Sequence, residues 1–421
     1  MKLQKIVNRL QKLHPKEIDL SLDRIKLLCE KLGNPQDKIK AISVVGTNGK
    51  QSTINAIFSI LKEAKMRCNV YSSPHVQRIN ERFIFNNQEL KDEKLAFLFE
   101  EVEKINDNQP ITFFEILTAC YFYEAAQYPE NINLIEAGLF HRFDATNILK
   151  KNLASVVTSI SKDHLDWLPK NEQTIEKIVY EKTSSLLKSN IIVSKQNLVS
   201  TKETIKKTIL NNSSNKLFFN ENFSYSNVEN GFFYYEDKFG SLKLPLPNIL
   251  GQFQLENIST AIATLRLLNI DIKDDDIKNG ITKIESVARL QEIKSGRLKK
   301  LVKNNQLLLD GSHNEDGARV LNEYLQTLDC NKHVVLGMMA NKAHEKYISY
   351  FKDISSLITI DIPGQPNSIS GKDLKEKFKS MPNVQYKESI EQAIKSIPLK
   401  GNDLVIITGS LYLAGEILNL N

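Results

Sequence analysis

Cysteine is scarce in this sequence. Cys29, Cys68, Cys120 and Cys330 lie far apart with no C-x-x-C pair. That spacing excludes a zinc ribbon and a disulfide framework, and leaves reduced, buried thiols as the expectation. Long apolar runs are missing too: no uncharged stretch approaches the roughly 18 residues of a membrane span. The opening MKLQKIVNRLQKLHPKEIDL interrupts its apolar residues with Lys, Gln, Asn and Arg at helical spacing. It lacks the continuous apolar core of about 7–15 residues that marks a secretory signal, so a cytoplasmic protein is expected, with no membrane partner. A dominant charge sign is absent as well. Lys plus Arg number 56 against 50 Asp plus Glu, giving +6 over 421 residues. So mild a balance suits anionic small ligands and does not call for nucleic acid. Neither an internal repeat nor a low-complexity linker is present, and no oligomer signature is visible, so a monomer is the default.

What remains is ordinary globular composition in a chain longer than one hydrophobic core usually supports, so two domains are expected. Short β-branched runs alternate with amphipathic helical stretches. Ile42–Val45, Asn133–Leu139, Ser155–Ser159 and Ile191–Ser194 read as strands in the first part, and Leu307–Asp310, His333–Gly337, Leu357–Ile362 and Leu404–Thr408 in the last. Continuous apolar strands separated by helices predict parallel sheets covered on both faces. The aromatic, alternating stretch from Asn211 to Leu246 reads instead as a small antiparallel element, and Gly251–Leu268 as a long helix. A charge-rich, strand-poor passage over Asp271–Lys303 places the boundary near residue 295, dividing the chain into 1–295 and 296–421.

The strongest local signal is Ile42-Ser-Val-Val-Gly46-Thr47-Asn48-Gly49-Lys50-Gln-Ser52-Thr53, followed by the helical pattern INAIFSILKEA. A strand feeding a glycine turn that opens a helix presents backbone N–H groups and the positive helix end to phosphates. Lys50 would reach the outer phosphates, and Ser52 or Thr53 could give a hydroxyl to magnesium. Only Thr47 and Asn48 separate the glycines, a shorter spacing than the usual nucleotide loop. ATP or a similar nucleotide is the inference this stretch carries alone. Farther along, Glu136 ends a buried strand, where a carboxylate needs a cation or a partner such as Arg142.

G-T-N-G-K followed by Ser-Thr resembles the variant phosphate loop of the Mur ligase superfamily, the ATP-dependent amide-bond ligases. Ile18-Asp-Leu-Ser-Leu-Asp-Arg24 and Leu32-Gly-Asn-Pro35 resemble the folylpolyglutamate synthase/dihydrofolate synthase family within it. Only 45 residues precede Gly46, which leaves no room for the sugar-nucleotide domain of the peptidoglycan branch. The resemblance implies an α/β fold of two domains. The first, 1–295, is a P-loop-type parallel-sheet ATPase domain with a small antiparallel β element; the second, 296–421, is a Rossmann-like glutamate ligase domain.

The resemblance also assigns residues. Glu136 (in E-x-G-L-G-G-R-x-D-A-T-N), His164 (in T-S-I-x-x-D-H) and Ser73 (in T-S-P-H) correspond to magnesium ligands. Lys182 corresponds to a lysine carried as a carbamate that bridges toward a second metal ion. Gln254 and Asn257 fall in G-x-H-Q-x-x-N, near the nucleotide. Arg289 stands where the family has a phosphate-binding arginine at the hinge. Asp310, His313 and Asn314 match L-D-G-A-H-N, with the aspartate on the ribose and the histidine on the phosphates. The implied cofactors are ATP and Mg²⁺, two ions, with the Lys182 carbamate, and K⁺ as a further candidate. The implied substrates are L-glutamate and dihydropteroate or folate, joined through an acyl phosphate. Departures stand beside these matches. Phe140-His141 replaces a glycine pair, Phe253 a histidine and Gln51 a small residue, and Ser286-Val-Ala288 stands where W-P-G is usual. Bulk at Phe140 and His141 is expected to narrow the acceptor side. The same ligase chemistry on another carboxylate, or a non-catalytic nucleotide-binding relative, are the alternatives.

Overall fold

A computed structural model describes residues 2–14, 19–212, 215–381 and 383–421. Ile18, the first residue of the Ile18–Arg24 motif, lies outside the described residues. The chain forms two compact units. The first comprises Met1–His164, Leu168–Asn248 and Leu255–Ile284; the second comprises Leu165–Trp167, Ile249–Gln254 and Glu285–Asn421.

The first unit is built on an eight-stranded sheet. Its strands are β1 (Lys40–Val45), β2 (Cys68–Tyr71), β3 (Phe83–Phe85), β4 (Gln88–Glu89), β5 (Ile132–Glu136), β6 (Ala154–Val157), β7 (Asn190–Val193) and β8 (Lys216–Phe218), in the order β4-β3-β2-β5-β1-β6-β7-β8. All neighbours pair in parallel except the β2–β3–β4 edge. β1, β5 and β6 are buried along nearly their whole length, so helices must cover both faces. One of these helices, Phe113–Ala125, is buried almost all round. Its start is fixed by a reciprocal cap: the Thr112 N–H donates to Glu115 Oε2 at 2.8 Å, and the Glu115 N–H donates to Thr112 Oγ1.

Two expectations shift, and one strand was not foreseen. β5 ends at Glu136 rather than Leu139: the Ala137 N–H still donates to Val44 O of β1, but those of Gly138 and Leu139 turn to Asp144. The stretch beginning at Asn211 divides: β8 joins the large sheet in parallel, and only β9 (Phe223–Glu229), β10 (Phe232–Asp237) and β11 (Gly240–Pro245) form the antiparallel element. β2, for which the sequence offers no apolar run, carries a polar residue in its middle. Asn69 is fully buried there; its Nδ2 donates to Asn133 Oδ1 on β5 at 3.1 Å, and Tyr121 Oη donates to the same Asn133 oxygen at 2.8 Å. The Asn69 Oδ1 accepts from Asn131 Nδ2 and from the Asn86 N–H. Buried amides thus stand where an aliphatic pattern would be expected, with their hydrogen bonds made internally.

The second unit holds a six-stranded sheet. β12 (Gln291–Glu292) pairs antiparallel with β13 (Gln306–Leu309); β14 (Lys332–Leu336), β15 (Ser356–Thr359), β16 (Val384–Tyr386) and β17 (Leu404–Thr408) complete the order β12-β13-β17-β14-β15-β16, parallel beyond β12. β12 and the helices Asp274–Ile281 and Arg297–Val302 lie within the passage read as strand-poor. Leu308, Leu321, Val334, Leu336, Leu357 and Ile406 belong to its core. Three of the four cysteines are buried and Cys330 is half-buried, all as free thiols. Among the described residues no helix is long and apolar enough to cross a membrane.

Candidate active site

Ligands of open α/β sheets bind outside the carboxyl ends of the strands, where the strand order changes direction. In the first unit β1 lies between β5 and β6, and each of these three strands ends in a segment singled out by the sequence. After β1 the chain enters the turn Gly46–Gly49, and the helix Lys50–Glu63 follows. Both glycines are required. Gly46 has φ +148, and a Cβ there would lie 2.0 Å from Thr158 Oγ1; Gly49 has φ +87, and a Cβ would meet Asn257 Oδ1 at 2.5 Å. The Thr47 and Asn48 N–H groups both donate to the Ser159 carbonyl, at 2.8 and 3.2 Å, and Thr47 Oγ1 donates to the Ser161 carbonyl. These bonds fasten the turn to the segment after β6. The helix start behind it supplies N–H groups without intrahelical partners and the positive dipole end. Ser52 and Thr53 are buried in the first turn of that helix, and Thr53 Oγ1 has no hydrogen-bond partner.

Two lysines converge on one carbonyl. Lys50 Nζ donates to Gly46 O at 3.3 Å and Thr47 O at 3.2 Å, and Lys182 Nζ donates to Gly46 O at 2.9 Å. Lys182 is 3% exposed, unlike the solvated lysine that usually follows a glutamate on a helix. Burial pulls the Lys182 ammonium down to about 7 from 10.5, and the neighbouring charge of Lys50 pulls it further the same way. Glu136, at the end of β5, answers this positive charge with its Oε1 3.8 Å from Lys50 Nζ. Arg142 is not its partner: Arg142 Nε and Nη2 both donate to Glu181, at 2.8 Å each. This bidentate pair was not anticipated, although Glu181 is adjacent to Lys182 in the sequence.

Asp144 shapes the turn between Glu136 and Arg142. Its Oδ2 accepts from the Gly138 and Leu139 N–H groups at 2.9 Å, and its Oδ1 accepts from the Thr146 N–H and hydroxyl. Burial pushes this carboxyl up, against the hydrogen bonds that favour its charged form. In the same turn Phe140 has φ +55, a conformation rare for an aromatic residue, and is 3% exposed. Lys182 Nζ lies 5.5 Å from the centre of its ring, and the His164 ring lies edge-on to it at 6.4 Å. His141 points elsewhere, with Nδ1 2.8 Å from Ser185 Oγ; burial and Lys182 push its imidazole down to about 4. The extra bulk of this pair therefore meets Lys182, His164 and Ser185.

The Ser73 N–H donates to Glu136 Oε2 at 3.0 Å, which ties the Ser73 backbone to that carboxylate. Ser73 Oγ is buried without a hydrogen-bond partner. An orphaned hydroxyl on a residue bonded to a carboxylate suits a hard cation, which takes oxygen ligands. Among the described residues no three His, Cys, Asp or Glu side chains cluster as a metal cage.

In the second unit the expected residues gather at the end of β13. Asp310 Oδ2 accepts from the Leu290 N–H and Oδ1 from the Ser312 N–H, both at 2.9 Å. The carboxylate thereby holds the Arg289 segment as well as its own turn, a role the sequence did not indicate. Ala288 and Leu290, on either side of Arg289, have φ +53 and +49. His313 Nδ1 lies 2.9 Å from Gly311 O, and Asn314 caps the helix Glu315–Gln326, its Oδ1 accepting from the Gly317 N–H. Gln254 is fully buried; Asn257, in the first unit, is buried against Gly49.

Two sheets of this kind, with a phosphate-loop turn on the first, define a Mur-type ligase architecture. Residues 296–411 match the family described as Mur ligase, glutamate ligase domain. The dihydrofolate synthase/folylpolyglutamate synthase of Haemophilus influenzae is 31% identical over 433 residues, covering 97% of this chain and 94% of that protein. The protein of the same name from Bacillus subtilis is 29% identical over 94% of each. The solved structure of E. coli FolC in complex with DHPP and ADP superposes with a TM-score of 0.88 at 28% identity, covering 99% of this chain and 97% of that one. The Yersinia pestis bifunctional folylpolyglutamate synthase/dihydrofolate synthase complexed with AMPPNP and Mn ion gives 0.87 at 25% identity, covering 99% and 97%. This chain belongs to the dihydrofolate synthase/folylpolyglutamate synthase family of ATP-dependent ligases.

Proposed function

We propose that this chain joins L-glutamate to the carboxylate of dihydropteroate or of a reduced folate, at the expense of ATP. The observation that carries the reading is the convergence of Lys50, Lys182 and Glu136 on the Gly46–Gly49 turn. The complexes of its relatives with ADP, DHPP, AMPPNP and manganese support it. In the first step an oxygen of the acceptor carboxylate attacks the γ-phosphorus and ADP leaves, giving an acyl phosphate. The glutamate amine then attacks the acyl carbon, inorganic phosphate leaves and the amine loses its proton. Lys50 neutralises charge on the transferring phosphoryl group, and Arg289 and His313 take the nucleotide's phosphates. Gly46, Thr47, Asn48, Gly49, Ser52, Thr53, Gln254 and Asn257 serve nucleotide binding from 1–295, the ATP-binding part, and Asp310 and Asn314 do so from 296–421, the glutamate ligase part.

Ser73, Glu136 and His164 would hold Mg²⁺, whose charge offsets that of the phosphates when bound. Lys182 is read as the carbamate-forming lysine. Carbon dioxide reacts with a neutral amine, and a lysine held near 7 supplies one at physiological pH. The test is mass spectrometry of products formed from ATP, glutamate and either dihydropteroate or tetrahydrofolate. Products heavier by one glutamyl residue, formed with ADP, are expected. ATP binding without glutamate-dependent ADP release would leave a non-catalytic relative instead.

A further inference from the structure

Beneath the Asp310–Asn314 turn, three hydroxyls from separate parts of the second unit close a ring. Ser312 Oγ lies 2.9 Å from Tyr347 Oη and 3.2 Å from Thr408 Oγ1, and the last two lie 2.8 Å apart. Tyr347 is fully buried and Thr408 1% exposed. In such a triangle each hydroxyl can donate once and accept once, so no buried donor is left unpaired. Burial pushes the Tyr347 phenol well above its ordinary range, which keeps it a donor. The backbone of Ser312 is pinned separately: its N–H donates to Asp310 Oδ1 at 2.9 Å, and its carbonyl accepts from the Gly409 N–H at 3.1 Å. Gly317 packs closely on its Cβ, since a Cβ on Gly317 would lie only 2.9 Å from Ser312 Cβ. Ser312 is thus held at its hydroxyl, its N–H and its carbonyl, two residues after Asp310 and next to His313.

We infer that Ser312 is a positioning residue for the nucleotide-binding turn, and that Tyr347 and Thr408 act through it by holding its hydroxyl. The inference rests on the functional reading above, in which Asp310 and His313 serve ATP. Neither Tyr347 nor Thr408 needs to touch a ligand for this. A loosened Ser312 would let the His313 imidazole and the Asp310 carboxylate drift, and the loss would appear in nucleotide affinity.

The experiment measures ADP binding by titration calorimetry and KM for ATP and glutamate, on the full chain. The variants are Tyr347→Phe, Ser312→Ala and the double variant, with Thr408→Val as a second way to open the ring should Tyr347→Phe fold poorly. Tyr347→Phe keeps the ring packing and removes one hydroxyl, so a roughly three- to tenfold weaker ADP affinity is expected. KM for ATP should rise by a similar factor while KM for glutamate stays put. In the double variant the loss should equal that of Ser312→Ala alone, because both changes act on one link. A purely structural tyrosine would lower the unfolding midpoint and leave ADP affinity alone, or would add its loss to that of Ser312→Ala; either result overturns the inference. A wild-type chain that binds no ADP would overturn the functional reading itself, and this inference with it.

Discussion

The two units fix their polar turns by opposite means. In the first, charge is buried: Lys182, Glu136 and Asp144 are each no more than 4% exposed, and Lys50 is nearly covered. In the second, the Asp310 carboxylate is engaged by two backbone N–H groups, and a ring of neutral hydroxyls holds Ser312. Burying charge is costly unless it is paired, and the first unit accepts that cost beside the loop assigned to the phosphates. Neutral hydrogen bonds hold geometry at little electrostatic expense, which suits the positioning role inferred for Ser312. Substitutions in the first unit should therefore alter rate and pH response, and those in the second should alter affinity.

The comparison breaks most visibly at Lys50. Lys50→Ala should lower turnover by roughly 10²–10³-fold, measured as glutamate-dependent phosphate release. Near wild-type turnover would remove the phosphate loop from the chemistry. Lys182 sharpens the contrast through pH. Its native value of about 7 lies below 10.5, so between these the unfolded chain binds a proton that the native state lacks, and stability rises with pH. Below about pH 7 both states are protonated and the full cost of burying the ammonium is present. Lys182→Met should hence be more stable than wild type near neutrality, by on the order of a few kcal/mol, with the gap closing towards about pH 10. Urea unfolding at several pH values checks this, and parallel curves for the two proteins would refute it. The smallest effect is expected at Phe140. Phe140→Gly relieves a left-handed backbone worth about 1 kcal/mol but loses a buried ring worth about 2, so a net loss near 1 kcal/mol should appear in thermal unfolding. A larger loss would mean that the ring, more than its backbone, organises Lys182 and His164.

Much of this was legible in the residues. The β1 strand, its glycine turn and the following helix were readable because apolar run, glycines and amphipathic period all point the same way. Glu136 stood out as a charge ending a buried strand. Lys182 was legible only through family likeness, since a lysine after a glutamate on a helix looks solvated, and its burial depends on how the helix Ile175–Thr183 packs. β2 stayed hidden because Asn69 interrupts its pattern, and the compensating amides lie far away in sequence. The Arg142–Glu181 pair and the Ser312 ring were invisible for the same reason: their members meet only after the strands are ordered.

The buried amides of Asn69 and Asn133 have a bearing on alignment that reaches the far end of the sheet. Sliding β2 or β5 by one position would turn these side chains to the opposite face and strand several polar groups in the interior. Greasy strands can tolerate such slippage; this pair cannot. Since Glu136 is three residues along from Asn133 on the same strand, the amide lock also dictates which way that carboxylate emerges, as a keyed shaft dictates the angle of whatever is mounted at its tip.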